Sequence, residues 1–367
     1  MALSDPPLKS NPADLHPKLR NDSGIFRTRD GVMFRNDYQT FFLRGEALYP
    51  VITALVPLCD GKRTLIEIVS GFPDQSRETL IALVLMLLNR GILKDQPTEA
   101  DVKLSETARE RFSAQIEFID HVADRPLERF ATFRQSRVLL AGSGHSYATC
   151  AASLVRYGLV SLSLLPNGDP SMAQHEIAKA IESIKEAGLS VSVSEFDVKS
   201  SDFSLLVDKA VLVAHCSDQS DMSVLVRLNR ECCRARRPLL PGFVFGERSL
   251  MGPMLTPTFP GCWVCGLFRL SDEVMDEHHL HAFSRTSYHE GCLFEEEPET
   301  NMAVAELLGH EMAFEIFKVL AGNLRAQTFD SLLLNKLDGR DSFQATLVPH
   351  QLCSCLRHCR AFVPGEK

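Results

Sequence analysis

After a polar lead-in, apolar and polar residues from 24 to 45 alternate with a period of two. In "GIFRTRDGVMFRND", residues 24–37, the alternation runs on both sides of Asp30-Gly31, a dipeptide that supplies the positive φ of a tight turn, and it predicts a β-hairpin. "YQTFFLRG", residues 38–45, predicts a third strand. The period then lengthens. "EALYPVITALVPLCDG" carries apolar residues at helical spacing as far as Gly61, and "RTLIEIVSGF" predicts a second, shorter helix. A third helix is expected to start at Ser76 as N-cap, to hold Glu78 in its first turn and to stop at Gly91, with Ile92-Leu93 following as a wing strand. Strands, three helices and a wing predict a winged-helix domain over residues 1–100.

Residues 101–130 read as a polar linker running into the helical "RERFSAQIEFIDHVAD". From 131 onward the pattern is α/β. A short apolar strand, Val138 to Ala141, meets Gly142-Ser143-Gly144, and "YATCAASLVRYG" follows with the small residues of a helix packed close to a sheet. Gly142 suits the tight turn of a dinucleotide site and Gly144 the approach of a phosphate. The third glycine is missing, with Tyr147 and Ala148 in its region, and a tyrosine there has the bulk to fill a nucleotide pocket. The second strand, "LVSLSLLPN", ends without the acidic residue that would hold a ribose, so NAD is not expected. "AVLVAHCSDQS" is a buried strand ending at Asp218, either as a site carboxylate or as a strand-end cap. Lys179 lies in "HEIAKAIESIKEAG", which also reads as an ordinary amphipathic helix with a solvated lysine.

Length and composition narrow the picture. The chain has 367 residues, 45% hydrophobic and 23% charged, which suits two globular domains. A net charge of -8, with no long run of Lys and Arg, argues against nucleic acid. The helix that would read DNA, with "TLIALVLMLL", has little basic character. Neither an apolar N-terminal segment nor a run of roughly eighteen apolar residues occurs, so no membrane span and a cytoplasmic location are expected.

Eleven cysteines are many for such a chain. Cys262 and Cys265 form a CxxC, and Cys353, Cys355 and Cys359 cluster far downstream. Two thiolates from each segment make a four-sulfur structural zinc site, expected as Cys262, Cys265, Cys353 and Cys355, with Cys359, His358 or His350 as substitutes because Cys-Ser-Cys is a shortened spacing. A low-pKa catalytic thiol is the alternative. Cys59, Cys150, Cys216, Cys232 and Cys233 lie in apolar or helical segments and read as buried hydrophobes. The stretch 271–300, rich in His and acid, reads as a mobile crossover loop; His278, His279 and His281 in it are weaker metal candidates.

Two resemblances join these features. "DGVMF", "LCDGKRTLIEIV" and "LVLMLLNRGIL" resemble the PqqD-like leader-peptide recognition element of enzymes that modify ribosomal peptides. The resemblance implies an added leader strand beside the third strand, resting on the third helix, with contacts from Tyr38, Thr40, Phe41, Phe42 and Leu43 and from Arg77, Leu80 and Val84. From about residue 130 the order of strand-end Asp, helix Asn and "GPMLTPTFPGCWVC" resembles the ThiF-type, ubiquitin-activating-enzyme-like adenylation fold. It implies a Rossmann-type α/β domain over 131–367, with Asp218 linked to magnesium, Gly142 and Gly144 as the phosphate loop, and Asn229 and Lys179 as further nucleotide ligands. A homodimer is implied by the same resemblance.

Together they point to the maturation of ribosomally made peptides. One reading is the ThiF-like partner of azoline-forming cyclodehydratases, which captures a leader and presents the core peptide to a YcaO-type enzyme. The other is an Mg-ATP-dependent enzyme of the microcin C7 or pantocin A type, activating a carboxylate of the bound precursor.

Overall fold

A computed structural model describes residues 14–37, 39–96, 102, 104–167, 171–197, 200, 202–218, 222–245, 247–256, 261–263, 265, 301–322, 324–329, 331–336 and 339–344. The chain divides into two units, Met1–Leu104 with Ser113–Phe130, and Ser105–Phe112 with Ala131–Lys367.

In the first unit the elements run β1 (Pro17–Leu19), β2 (Gly24–Arg27), β3 (Gly31–Arg35), β4 (Thr40–Arg44), α1 (Leu48–Leu55), α2 (Leu65–Ser70), α3 (Arg77–Asn89) and β5 (Leu93–Asp95). β2, β3 and β4 form an antiparallel sheet in that order. Its inner rows, Ile25–Phe34–Phe41 and Val32–Leu43, face a core that includes Ile52, Leu55, Leu65, Leu80, Val84 and Leu87. The strand β1, not anticipated in the polar lead-in, pairs with β5: Pro17 stands opposite Asp95 and Leu19 opposite Leu93.

Two helix boundaries differ from expectation for local reasons. α1 stops at Leu55 and tightens into a 3-10 turn, Val56–Leu58, that carries Pro57 near its start. Ser76 does not cap α3, because the 3-10 turn Asp74–Ser76 feeds directly into it and leaves Ser76 already helical, with no capping bond from its side chain. The well-formed cap belongs to α2, where Thr64 and Glu67 bond reciprocally to each other's backbone.

Beyond β5 come α4 (Glu106–Arg111), α5 (Ser113–Val122) and α6 (Pro126–Gln135). α5 belongs to the first unit, held there by Asp120. That carboxylate takes the Lys18 ammonium at 2.8 Å and the Lys94 ammonium at 2.7 Å, one lysine from each strand of the β1–β5 pair. Burial alone would raise the Asp120 carboxyl, but hydrogen bonds and charge from the two lysines hold it below the usual carboxylate range.

The second unit continues with β6 (Arg137–Ser143), α7 (Gly144–Tyr157), β7 (Ser161–Pro166), α8 (Ser171–Glu186), β8 (Ser192–Glu195), α9 (Phe203–Lys209), β9 (Leu212–Ser217), α10 (Met222–Ala235), β10 (Leu239–Phe245), β11 (Arg248–Met251), α11 (Met302–Ala321), β12 (Ser331–Lys336) and β13 (Gly339–Gln344). They build one eight-stranded sheet in the order β13-β12-β11-β10-β9-β6-β7-β8. β8, β7, β6, β9 and β10 are parallel, and β11 to β13 extend the sheet antiparallel. Buried on both faces, β6 and β9 read as apolar runs, as central parallel strands do. The chain winds one way from β6 through β7 to β8, and the other way from β9 to β10. The carboxyl ends of β6 and β9 therefore lie at a topological switch point.

α7 packs against α8 and α11. At the α11 crossing Gly309 lets the backbones approach: a Cβ there would lie 2.5 Å from the Ser146 carbonyl oxygen and 2.7 Å from Thr149 Cβ. Among the described residues no helix is long and apolar enough to cross a membrane.

Candidate functional site

The switch point holds the glycine turn. Gly142 has φ +147° and Gly144 φ +79°, both in the region that favours glycine. Their neighbours explain why. A side chain on Gly142 would run into the Cys216 carbonyl of the adjacent strand, and one on Gly144 into the carboxylate of Asp218. That carboxylate lies on the first turn of α7. Asp218 Oδ2 accepts the His145 N–H at 2.5 Å, Oδ1 accepts the Ser146 N–H at 2.9 Å, and the Asp218 N–H donates to the Ser143 carbonyl at 3.1 Å. Beneath them the Ser143 and Ser217 hydroxyls meet at 2.8 Å, buried. Ser143, the positional N-cap, makes no capping bond of its own, because the cap comes from seventy-odd residues downstream. A helix N-terminus of this kind attracts an anion, and here the anion is an internal carboxylate.

The rest of the nucleotide-like constellation is dispersed. Tyr147, 2% exposed, is packed into the core, and its hydroxyl has no hydrogen-bond partner among the described residues. Burial, reinforced by Glu195 on β8, pushes that hydroxyl well above its ordinary pKa. Asn167, just beyond β7, donates its N–H to the Gly142 carbonyl at 2.8 Å, and Asp169 lies outside the described residues. Lys179 is exposed on α8. Asn229 is buried on α10, where its Oδ1 accepts the Trp263 N–H at 2.9 Å. Trp263 meets Phe243 edge to face at 5.9 Å within the apolar cluster between the sheet and α9 and α10.

Asn229 thereby fixes the CxxC turn. Cys262 and Cys265 are fully buried, are not joined in a disulfide, and bring their Sγ atoms to 3.6 Å. Cys353, Cys355, Cys359, His350, His358 and the histidines at 278, 279 and 281 lie outside the described residues. Of the other cysteines, Cys59, Cys150, Cys216 and Cys232 are buried, whereas Cys233 is only half-buried. Burial pushes the Cys59 and Cys232 thiols up to about 12, which leaves them protonated and unreactive at neutral pH.

The second candidate region is the β4 edge of the first unit. β4 pairs with β3 on one side only among the described strands, and its residues alternate exposed and half-buried from Thr40 to Arg44. The ladder phase follows from its two ends. Gly45 donates to the Asp30 carbonyl at 2.8 Å, and Asn36 donates to the Gln39 carbonyl at 3.0 Å. The hydrogen-bonded pairs are therefore 34 with 41 and 32 with 43, so the backbone groups of Thr40, Phe42 and Arg44 point away from β3 toward the open edge. On the inner side Phe41 stacks on Phe34 at 5.1 Å, with the Arg90 guanidinium over its ring at 5.3 Å. One and two turns before Arg90, Met86 and Leu83 are half-buried on the same helical face. Tyr38 lies outside the described residues. Leu80 and Val84, expected from the sequence as peptide contacts, are buried in the core, because they occupy the stripe of α3 that covers the sheet. Arg77 is tied to the turn before α3, at 2.7 Å from Asp74 and 3.2 Å from the Ser70 carbonyl.

The sequence matches no known family model and no curated protein. Solved structures share its architecture. The crystal structure of E. coli MccB with succinimide superposes with a TM-score of 0.63 at 14% identity, over 92% of this chain and 99% of that one. The fold is that of MccB. The microcin C7 biosynthetic enzyme MccB in complex with N-formylated MccA gives 0.64 at 14% identity, again over 92% of this chain and 99% of that one. A heterocyclase in complex with substrate and cofactor gives 0.55 at 18% identity, over 96% of this chain but 42% of the larger protein.

Proposed function

We propose that the chain acts in the maturation of a ribosomally made peptide, binding the precursor's leader as an added strand on β4 and presenting the core to a YcaO-type partner for ATP-dependent cyclodehydration. The observation that carries this reading is the edge of β4. Its outward backbone groups at Thr40, Phe42 and Arg44 stand beside an inner row of half-buried apolar side chains, Phe41, Leu43, Met86 and Leu83, so the edge offers hydrogen bonds and apolar contact on alternate residues. In this reading the first unit is a winged-helix recognition domain. Comparison adds support, since E. coli MccB has been crystallised with its peptide MccA and the heterocyclase with its substrate. The filled anion cradle, with Asp218 on the α7 amides and Tyr147 in the core, favours a presenter over a nucleotide-using enzyme.

A second reading rests on a specific fact: MccB of the same fold has been crystallised with ATP. In that case Asp218 would leave the α7 amides to hold magnesium, the phosphates would take its place on the amides, and Mg-ATP would activate a carboxylate of the precursor. Lys179 and Asn229 would then need to turn toward the ligand.

The CxxC turn fits half of a structural zinc site. Tetrahedral coordination with Zn–S bonds of about 2.3 Å separates the sulfurs by about 3.8 Å. Cys262 and Cys265 stand at 3.6 Å. Cys353 and Cys355, or Cys359, His358 or His350, would complete it and bind the C-terminal segment to the second unit. Assembly as a homodimer is the quaternary state that the fold resemblance suggests.

Calorimetry of the full chain with the leader peptide encoded beside its gene, and separately with Mg-ATP, tests the choice. Leader binding abolished by Thr40→Pro, with no heat from Mg-ATP, supports the presenter. Mg-ATP binding that disappears in Asp218→Ala supports the adenylating enzyme. Leader binding untouched by Thr40→Pro would move the docking site away from β4.

A further inference from the structure

The outer face of the β2–β3–β4 sheet carries an apolar row that the core does not use. Phe26, Met33 and Phe42 are direct cross-strand neighbours, with Phe26 opposite Met33 and Met33 opposite Phe42. The two phenylalanines are 47% and 55% exposed. Gly24, Arg35 and Thr40 form the row on one side of it, and Gly31 and Arg44 the row on the other. The Arg44 side chain is 88% exposed and only loosely engaged by Asp30, at 3.8 Å. The row stops at the open edge, on the residue whose backbone groups point outward.

From this we infer that Phe42 and Arg44 select the peptide on the outer face of the sheet: an apolar side chain opposite Phe42 and a carboxylate two residues away, opposite Arg44. The inference rests on the reading of β4 as the docking edge. A strand added there alternates its side chains between the two faces, so residues paired with Thr40, Phe42 and Arg44 all fall on the outer face and those between them fall toward α3. The residue opposite Phe42 becomes the fourth member of the row Phe26–Met33–Phe42 and covers the exposed ring. The residue opposite Arg44 meets a guanidinium with little competition. Selection is thus two-sided, with apolar contact on the inner face and an apolar-acidic pair, spaced by two, on the outer one. The occupant is an extended acidic peptide segment, complementary to the two arginines that rim the row.

The test uses the full chain as bait for a displayed library of random twelve-residue peptides. Edge-dependent binders are those that Thr40→Pro no longer captures, since proline removes an outward N–H while leaving the bonds to β3. They are expected to share an apolar residue with Asp or Glu two positions away. A synthetic consensus peptide, followed by fluorescence anisotropy, should bind Phe42→Ala about fivefold more weakly, the factor for losing one strong cross-strand contact. Arg44→Glu should weaken the same peptide and recover binding when the peptide's acid is changed to Lys. Unchanged circular dichroism and melting confirm that the variants fold. Edge-dependent peptides that bind Phe42→Ala and Arg44→Glu as tightly as the native chain would overturn this inference and leave the edge reading intact. Binders indifferent to Thr40→Pro, or a library yielding no edge-dependent binder, would remove the edge reading and the inference with it.

Discussion

Asp218 caps α7 from seventy-two residues beyond Ser146: its carboxylate accepts the Ser146 N–H of the helix's first turn at 2.9 Å. The bond joins the ends of β9 and β6 and puts a carboxylate at the helix N-terminus, where the backbone amides favour an anion. Asp218→Ala should therefore lower stability by about 1–2 kcal/mol, the usual cost of losing a helix cap, and Asp218→Asn by less. Urea unfolding measures this. An Asp218→Ala chain as stable as the native one would mean that the cap contributes nothing and that the residue is kept for a ligand.

Asp120 bridges two lysines at the base of the first unit. Asp120→Asn leaves Lys18 and Lys94 facing a neutral group and should cost about 3 kcal/mol, the low end for breaking a buried pair. The folded-state pKa is depressed, so the unfolded chain, with a carboxyl near 3.9, binds the proton first as pH falls. The stabilisation is complete above about pH 5 and is lost as pH drops through the folded-state value. The difference between native and Asp120→Asn chains in denaturant melts should stay flat near neutrality and shrink below about pH 4.

Metal content decides the role of the CxxC turn. Purified chain should contain equimolar zinc by elemental analysis, and Cys262→Ser should lose most of it. Asn229→Ala removes the acceptor for the Trp263 N–H and should loosen the same turn, costing about 1–3 kcal/mol and raising the rate at which a chelator extracts the metal. Zinc-free native protein of undiminished stability would exclude a structural site.

Gly309 marks the close crossing of α7 and α11. Gly309→Val must push the helices apart at Ser146 and Thr149 and should destabilise the second unit by about 1–3 kcal/mol, as overpacking does. A thermal melt indistinguishable from native would show that the crossing can widen freely.

Much of this fold is local and was legible. The hairpin at Asp30-Gly31, the third strand, and the strand-glycine-helix order of β6 and α7 all follow from short-range periodicity and turn chemistry. What the sequence hid is long-range. Gly142 and Gly144 read as phosphate-loop glycines, yet their neighbours are Cys216 and Asp218, which only the β6–β9 pairing brings near. Asn229 reads as a helix asparagine near a ligand, and its buried bond to Trp263 depends on how the segment after β11 folds back. The apolar run of α3 gave no sign of which stripe would be core, since the helix is apolar on nearly every side, and so Leu80 and Val84 were expected at the surface. Asp120 carried no signal at all: an acid in an amphipathic helix looks solvated until β1 and β5 supply its lysines.

The antiparallel pairing of β1 with β5 sets Pro17 directly across from Asp95, so the segment between them leaves from where it entered. Mechanically, that places its two ends on one short zipper. A force pulling the ends apart loads the three residue pairs of that ladder one after another instead of all at once, so this junction should open before the β2–β3–β4 sheet that lies between its strands in the chain.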